Sequence, residues 1–415
     1  MEIRKTAGGV TAAKGFCAAS CAAGIKYKDR TDMAMLYSSQ PCSAAGTFTS
    51  NVVKAAPVKW DMRIVSEKHP VHAVVINSGI ANAGTGESGM LLCEKTAKEV
   101  GKQFDISPFG VLIGSTGVIG PDIPLDKISA GISAMKPRLS DSLEAGTEAS
   151  RAIMTTDTVN KEFACEFELP AETGDGYVTV RLGGMSKGSG MIHPNMCTML
   201  AYITTDAAID QSLLQKAAST VIPDTFNMIS VDGDTSTNDT FLLLANGLAG
   251  NRKITEENDS YRIFCEALFG ICRDLSIKMA SDGEGATKLI ETRVYNADTK
   301  ENARKLARGV VSSSLVKAMV FGKDANCGRV LCALGYSGPN FNPDGIEIRM
   351  SDTKEAVIFF CNGRAQEFDE EKALRILDGN SVIFEVDMKM GSECAVAWGC
   401  DLTYDYVRIN GDYRT

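Results

Sequence analysis

Apolar runs with strand character recur along the whole chain, and runs with a helical period lie between them. This alternation limits the possible folds more than any other feature of the sequence. The strand-like runs include Ala73 to Ile76, Tyr177 to Leu182, Met199 to Ile203, Thr240 to Leu244 and Ser381 to Val386, bounded by Gly, Asn, Asp or Pro. The helical runs place apolar or small residues on one face. Leu92, Thr96, Val100 and Phe104 form one such face. Phe264, Leu268, Cys272 and Leu275 form a second, and Ala303, Leu306, Ala307, Val310 and Val311 a third. Strands and helices mixed in this way predict an α/β or α+β protein. At 415 residues the chain is long for one core, so two domains or one large two-lobed domain are expected.

The balance of charge excludes one class of partner. The formal net charge is −9. Nucleic acid binding needs a basic face, and the largest basic cluster, Lys95, Lys98 and Lys102, reads as a solvated helix side. The first residues, Met-Glu-Ile-Arg-Lys, do not lead into an apolar signal core. No run approaches the ~18 apolar residues of a membrane span. A cytoplasmic protein with no membrane partner is therefore expected. The thirteen cysteines form no C-x-x-C pair, and His69, His72 and His193 fall in no metal-ligand spacing. Free thiols packed as small apolar residues are expected, and no metal.

Glycine, at 39 residues, gathers in polar loops: Gly79 to Gly89, Gly114 to Gly117, Gly183 to Gly190, Asp232-Gly233-Asp234 and Gly283-Glu284-Gly285. Glycine lets backbone approach a ligand closely, although each loop can equally be a plain turn. None is read as a phosphate-binding loop: the P-loop spacing is absent, and no G-x-G-x-x-G is expected to open a helix after a strand.

The segment from Lys187 to Leu200 carries the most chemistry. Three turn formers lead into Met196-Cys197-Thr198, and an apolar strand pattern starts at once with Met199. A hydroxyl fixed at the head of a buried strand suits an N-terminal nucleophile. Thr198 Oγ would attack the carbonyl of Cys197, and water would cleave the resulting ester. The new chain start then offers both the nucleophile and its own base, an α-amine of pKa near ~8. No histidine base is needed. A threonine that merely opens a strand is the plain alternative.

Blocks spread along the chain supply a further reading. Gly9-Val10-Thr11-Ala12, Phe48-Thr49-Ser50-Asn51, Ala81-Asn82-Ala83, the Lys187 to Leu200 segment, Asp282 to Lys288, and Ala397 to Val407 with Asn410 occur in one order. With them the chain resembles the ornithine acetyltransferase family, also called glutamate N-acetyltransferase, of arginine biosynthesis. The resemblance covers nearly the whole length. It implies an α/β sandwich with sheets between helical layers, in two lobes, of the autoprocessed N-terminal-nucleophile type. It implies cleavage into chains 1–197 and 198–415, of which two each would form a heterotetramer.

The resemblance also implies roles for single residues. Thr198 matches the nucleophile, with Cys197 and Thr198 flanking the cleavage site. Thr116 and Gly117 match an oxyanion-hole pair. Thr155, Lys187, Glu284, Asn410 and Thr415 match substrate contacts, joined there by Thr198. Lys187 suits a carboxylate and Glu284 an ammonium, which an amino-acid substrate needs together. The implied reaction moves an acetyl group from N-acetylornithine to glutamate through an acetyl-threonine ester, with no cofactor. Acetyl-CoA stays open as a second donor. An N-terminal-nucleophile amidase or peptidase on the same scaffold, or a non-catalytic binding protein, are the competing readings. The chain departs from the family pattern at Cys197, where alanine is usual, and at Asp324 to Arg329.

Overall fold

The computed structural model describes residues 2–193 and 199–412. The chain divides into two compact units. The first comprises Met1–Gly188, Asn195–Pro223 and Thr235–Leu275, and the second Ser189–Pro194, Asp224–Asp234 and Ser276–Thr415.

The first unit is built on a nine-stranded mixed sheet. Its strands are β1 (Arg4–Thr6), β2 (Phe16–Cys21), β3 (Met33–Phe48), β4 (Val71–Asn77), β6 (Val111–Ser115), β8 (Lys161–Pro170), β9 (Tyr177–Lys187), β10 (Leu200–Thr205) and β12 (Thr240–Ala245). They run in the order β1-β8-β9-β10-β12-β3-β4-β6, with β2 paired to β3. A small parallel pair, β5 (Ile80–Ala81) and β7 (Val118–Ile119), stands apart. The helices of this unit are α1 (Ala56–Ser66), α2 (Gly86–Phe104), α3 (Leu125–Met135), α4 (Leu143–Ala152) and α5 (Gln211–Val221). The long α6 (Asp259–Ser281) runs across the division between the units.

The strand runs read from the sequence all fall on strands, some buried on both faces and some, such as residues 177–182 and 381–386, only in part. Every residue of β10 and β12 is buried, as parallel pairing at the centre of a sheet demands. β10 lies antiparallel to β9 and parallel to β12, so Lys187, Leu200 and Thr240 share one row. Segments from before and after residues 197 and 198 thus alternate in one sheet: β10 and β12 sit between β9 and β3. α1 begins with a proline in its first turn and is pinned by Trp60, whose Nε1 donates to the Val111 carbonyl at 2.9 Å.

The second unit carries a seven-stranded sheet. Its order is β11 (Ile229–Ser230), β18 (Glu393–Cys400), β13 (Leu289–Ala297), β17 (Ser381–Asp387), β14 (Glu347–Ser351), β15 (Ala356–Cys361) and β16 (Arg364–Ala365). Its helices are α7 (Lys300–Ser312), α8 (Ser314–Gly322), α9 (Cys327–Gly335), α10 (Glu370–Asp378) and α11 (Tyr404–Gly411). α7 packs on β13 and β18 through Ala303, Leu306, Ala307, Val310 and Val311, all at most 1% exposed. Burying a valine or leucine side chain contributes roughly 1.5–3 kcal/mol, so this face anchors the helix, and Val310→Asp would undo it. Thr299 caps its start by accepting from the Asn302 N–H.

One expectation needs correction. Gly84-Thr85-Gly86-Glu87-Ser88-Gly89 does have the G-x-G-x-x-G spacing, follows β5 and opens α2. The spacing has a packing cause: a Cβ on Gly89 would lie 2.1 Å from Thr85 Oγ1 and 2.5 Å from Asn82 Oδ1. Asn82 instead donates to the Gly89 carbonyl and accepts from Thr85, closing the turn on itself. Packing also accounts for only part of the cysteines. All the described ones are free, but Cys332 and Cys394 are exposed, while Cys21, Cys42, Cys93, Cys165, Cys272 and Cys400 are buried. Lys95, Lys98 and Lys102 are exposed along α2, as a solvated face requires. Of the segment from Asp324 to Arg329, residues 324–326 join α8 to α9, Asn326 caps α9, and Cys327 to Arg329 form its first turn.

Candidate active site

In the first unit, β6 ends at Ser115 and the chain turns through Thr116 and Gly117 into β7. The turn is held by backbone bonds from Thr116 N–H to the Asn77 carbonyl and from Val118 N–H to the Gly79 carbonyl. Gly117 has φ +128°, and a Cβ there would lie 2.2 Å from the Gly79 carbonyl carbon. Only glycine fits this position. Since the Thr116 N–H is already spent, the groups the pair can offer a ligand are the Thr116 hydroxyl and the Gly117 N–H. Below the turn, the Ser115 carbonyl accepts from Asn238 Nδ2 at 2.9 Å and its hydroxyl accepts from the Asn82 N–H at 2.8 Å.

Lys187 ends β9 and is 9% exposed. It belongs to a buried group of alternating charge: Lys161, Asp157, Lys187 and Asp239. Lys161 Nζ donates to Asp157 Oδ1 at 2.7 Å, with both side chains fully buried. Asp157 also accepts from the N–H groups of Gly188 at 2.8 Å and Thr155 at 3.0 Å. Burial by itself would raise its pKa, but the charges of Lys187 and Lys161 and these hydrogen bonds bring it down to about 2. The Thr155 carbonyl, in turn, accepts from Arg30 Nη2 at 3.0 Å. Asp239, the other carboxyl in this group, behaves oppositely. Burial pushes its pKa well above the usual range, and the Ser236 and Thr49 hydroxyls, the Lys187 charge and the Met199 N–H offset only part of that.

In the second unit, Glu284 is 6% exposed. Its N–H donates to the Ser189 carbonyl at 2.8 Å, and its Oε2 accepts from Asn410 Nδ2 at 2.7 Å. Gly190 makes room for it: a Cβ there would lie 2.3 Å from the carboxylate. Asp232 closes the neighbouring loop by accepting from the N–H groups of Met191 at 2.6 Å and Ile192 at 2.9 Å. Tyr406 donates to Asp232 at 3.3 Å, and its pKa is raised by burial and by the charges of Asp232 and Glu284. His193 Nδ1 lies 3.0 Å from Ser230 Oγ, and burial with the nearby Arg308 charge lowers its pKa to about 4. The ring is therefore neutral at pH 7.

The residues expected from the sequence thus fall into two sets. Thr116, Gly117, Thr155 and Lys187 belong to the first unit, where Thr155 and Lys187 meet the same Asp157. Glu284 and Asn410 belong to the second and bond directly. Cys197, Thr198 and Thr415 lie outside the described residues. Asp157, Asp232, Asp239 and Tyr406 were not singled out from the sequence. Asp157 is inside the Thr155 to Thr158 run and Asp232 inside a glycine loop already noted. Asp239 had one local signal, a carboxylate directly before the apolar run at Thr240.

These features define a class: a mixed α/β protein of two units, with a glycine-only turn beside a strand end and charged groups of both signs held buried by named partners. Comparison with known proteins narrows the class. A family model described as the ArgJ family matches residues 17–415. The arginine biosynthesis bifunctional protein ArgJ of Symbiobacterium thermophilum is 50% identical over 411 residues, covering 99% of either chain. Its counterpart ArgJ 1 of Clostridium acetobutylicum is 48% identical over 400 residues, 96% of either chain. Among solved structures, an ornithine acetyltransferase from Mycobacterium tuberculosis complexed with ornithine is 38% identical, covers 48% of this chain and all of its own, and has a TM-score of 0.42. The chain belongs to the ArgJ family, whose curated relatives are named bifunctional proteins of arginine biosynthesis.

Proposed function

We propose that this chain is an acyltransferase of arginine biosynthesis that cuts itself before Thr198 and then moves the acetyl group of N-acetylornithine to glutamate. The observation that carries this reading is family membership over residues 17–415. The local geometry is in keeping with it. Thr198 Oγ attacks the acetyl carbonyl while the Thr198 α-amine takes the proton. The Thr116 hydroxyl and Gly117 N–H hold the oxyanion, each such donor contributing about 3 kcal/mol to lowering the barrier. Ornithine leaves, and glutamate collects the acetyl group from the threonine ester. Lys187 is assigned to a substrate carboxylate, Glu284 to a substrate ammonium, and Thr155, Asn410 and Thr415 to further substrate contacts. Acetyl-CoA is a candidate second donor to glutamate.

The cleaved chains, 1–197 and 198–415, are proposed to stay together as a heterotetramer of two each, in the cytoplasm. The alternation of β9, β10, β12 and β3 supports the first part, since one broken peptide bond leaves every ladder intact. Among the described residues, no helix is long and apolar enough to cross a membrane.

The test is direct. N-terminal sequencing of purified protein is expected to find a fragment beginning Thr-Met-Leu-Ala-Tyr. Ornithine release from N-acetylornithine is expected to depend on glutamate. Release that ignores glutamate would point to an amidase instead, and an intact chain without activity to a binding protein.

A further inference from the structure

In the second unit, α7 carries three cations at successive turns: Lys300, Arg304 and Arg308. The first two share Asp224. Arg304 grips it with one edge of its guanidinium, Nε donating to Oδ1 at 2.9 Å and Nη2 to Oδ2 at 2.7 Å. Lys300 Nζ lies 3.3 Å from the same carboxylate. One turn further on, Arg308 has the same edge in a different setting. Its Nε and Nη2 are both buried and have no hydrogen-bond partner among the described residues. No carboxylate among the described residues pairs with it, and burial holds its pKa below the ordinary arginine value. The chain has 52 Asp and Glu residues and a formal net charge of −9, so acidic partners are not scarce. A buried charge without one is costly, and so are buried donors left unmet.

Two polar groups border Arg308. Ser312 follows one turn along the same side of α7, and its Oγ lies 3.4 Å from His193 Nδ1. The Arg308 charge is close enough to His193 to help lower the pKa of that ring, which is neutral at pH 7 and adds no charge of its own. We propose that Arg308 anchors an oxyanion site: its Nε–Nη2 edge takes two oxygens of a carboxylate or a phosphate, as Arg304 takes Asp224, and the Ser312 hydroxyl supplies a third donor. Access follows from the burial pattern. The two nitrogens are covered, but the residue as a whole is only half-buried, so the rest of the side chain reaches solvent. Turning the covered edge to that side breaks no hydrogen bond, since neither nitrogen makes one. None of these residues has a part in the acetyl transfer proposed above, and the inference does not depend on Thr198 being the nucleophile.

The experiment is calorimetric titration of the full-length protein at constant ionic strength, with inorganic phosphate in one arm and acetate in the other. Two charge-assisted bonds predict saturable binding with a Kd of about 1 mM in at least one arm. The arm that saturates more tightly tells whether the site takes phosphates or carboxylates. Arg308→Gln removes the charge and the fork together, and Arg308→Lys keeps the charge but loses the fork. Both are expected to weaken the binding by about tenfold or more, because two parallel bonds cannot form in either. No saturable binding in either arm overturns the proposal. So does binding that survives in Arg308→Gln, which would place the anion elsewhere. Wild-type affinity in Arg308→Lys also overturns it, since charge alone would then suffice. If Arg308→Gln does not fold, Arg308→Lys carries the test by itself.

Discussion

Asp157 and Asp239 flank the same lysine, are both buried, and differ in almost everything else. Asp157 is saturated: a lysine ammonium and two backbone N–H groups hold it ionised, with a pKa near 2. Asp239 keeps one oxygen unmet and holds its proton to a higher pH. A saturated buried carboxylate serves the fold, and a half-satisfied one marks a place where the fold gives up stability for something else. The lesson is that burial and a shared partner do not set a residue's role; the count of satisfied acceptors does.

The largest effect tests whether Thr198, just ahead of the strand that pairs with β12, carries the chemistry at all. Thr198→Ala is expected to leave a single 44.3 kDa band on a denaturing gel and no measurable transfer. Cleavage in that variant would overturn the Thr198 reading. Next comes Gly117→Ala. Its Cβ would drive into the Gly79 backbone, so kcat should fall by about 10²–10³, as when an oxyanion donor is lost. Retained kcat would show that the turn is only structural.

The two carboxyls can then be set against each other directly by denaturant unfolding at pH 7. The folded-state pKa of Asp157 lies below its ordinary value, so its contribution is present above about pH 4 and is lost as the pH falls toward 2. Asp157→Asn should therefore cost about 2 kcal/mol at pH 7, and less at pH 3. The folded-state pKa of Asp239 is raised, so it costs stability as the pH climbs above the ordinary carboxylate pKa. Asp239→Asn should accordingly unfold later than wild type at pH 7. Shifts of the same sign in both variants would break the comparison. The smallest effect belongs to the second unit. Asn410→Ala removes one hydrogen bond from Glu284, worth about 1 kcal/mol, so KM should rise about fivefold with kcat unchanged. A fall in kcat instead would give Asn410 a part in the chemistry.

Much of the fold could be read from the sequence because its signals were local and periodic. The α7 face from Ala303 to Val311 and the β10 and β12 runs needed only a period of 3.6 or a continuous apolar stretch. What could not be read was long-range. The sheet order places Asp239 beside Met199 although 40 residues separate them in the chain. The pairing of Asn410 with Glu284 spans 126 residues. The Gly84 to Gly89 run shows the opposite failure: a motif spacing arose from local packing, because Gly89 must clear Thr85 and Asn82. Residue roles at Thr116, Gly117, Lys187 and Glu284 came from likeness to a family, and physical spacing alone would have left them as turn and surface residues.

The strand order β9-β10-β12-β3 bears on how such a protein ends its life. An uncut chain can unfold and fold again as one molecule. Once cut before Thr198, it can rebuild that sheet only by the meeting of two molecules, with the central strands β10 and β12 supplied by one and their outer neighbours by the other. Recovery from unfolding then slows with dilution, and the apparent melting temperature acquires a dependence on concentration. Maturation would in this way convert a reversible fold into one held mainly by the height of its unfolding barrier.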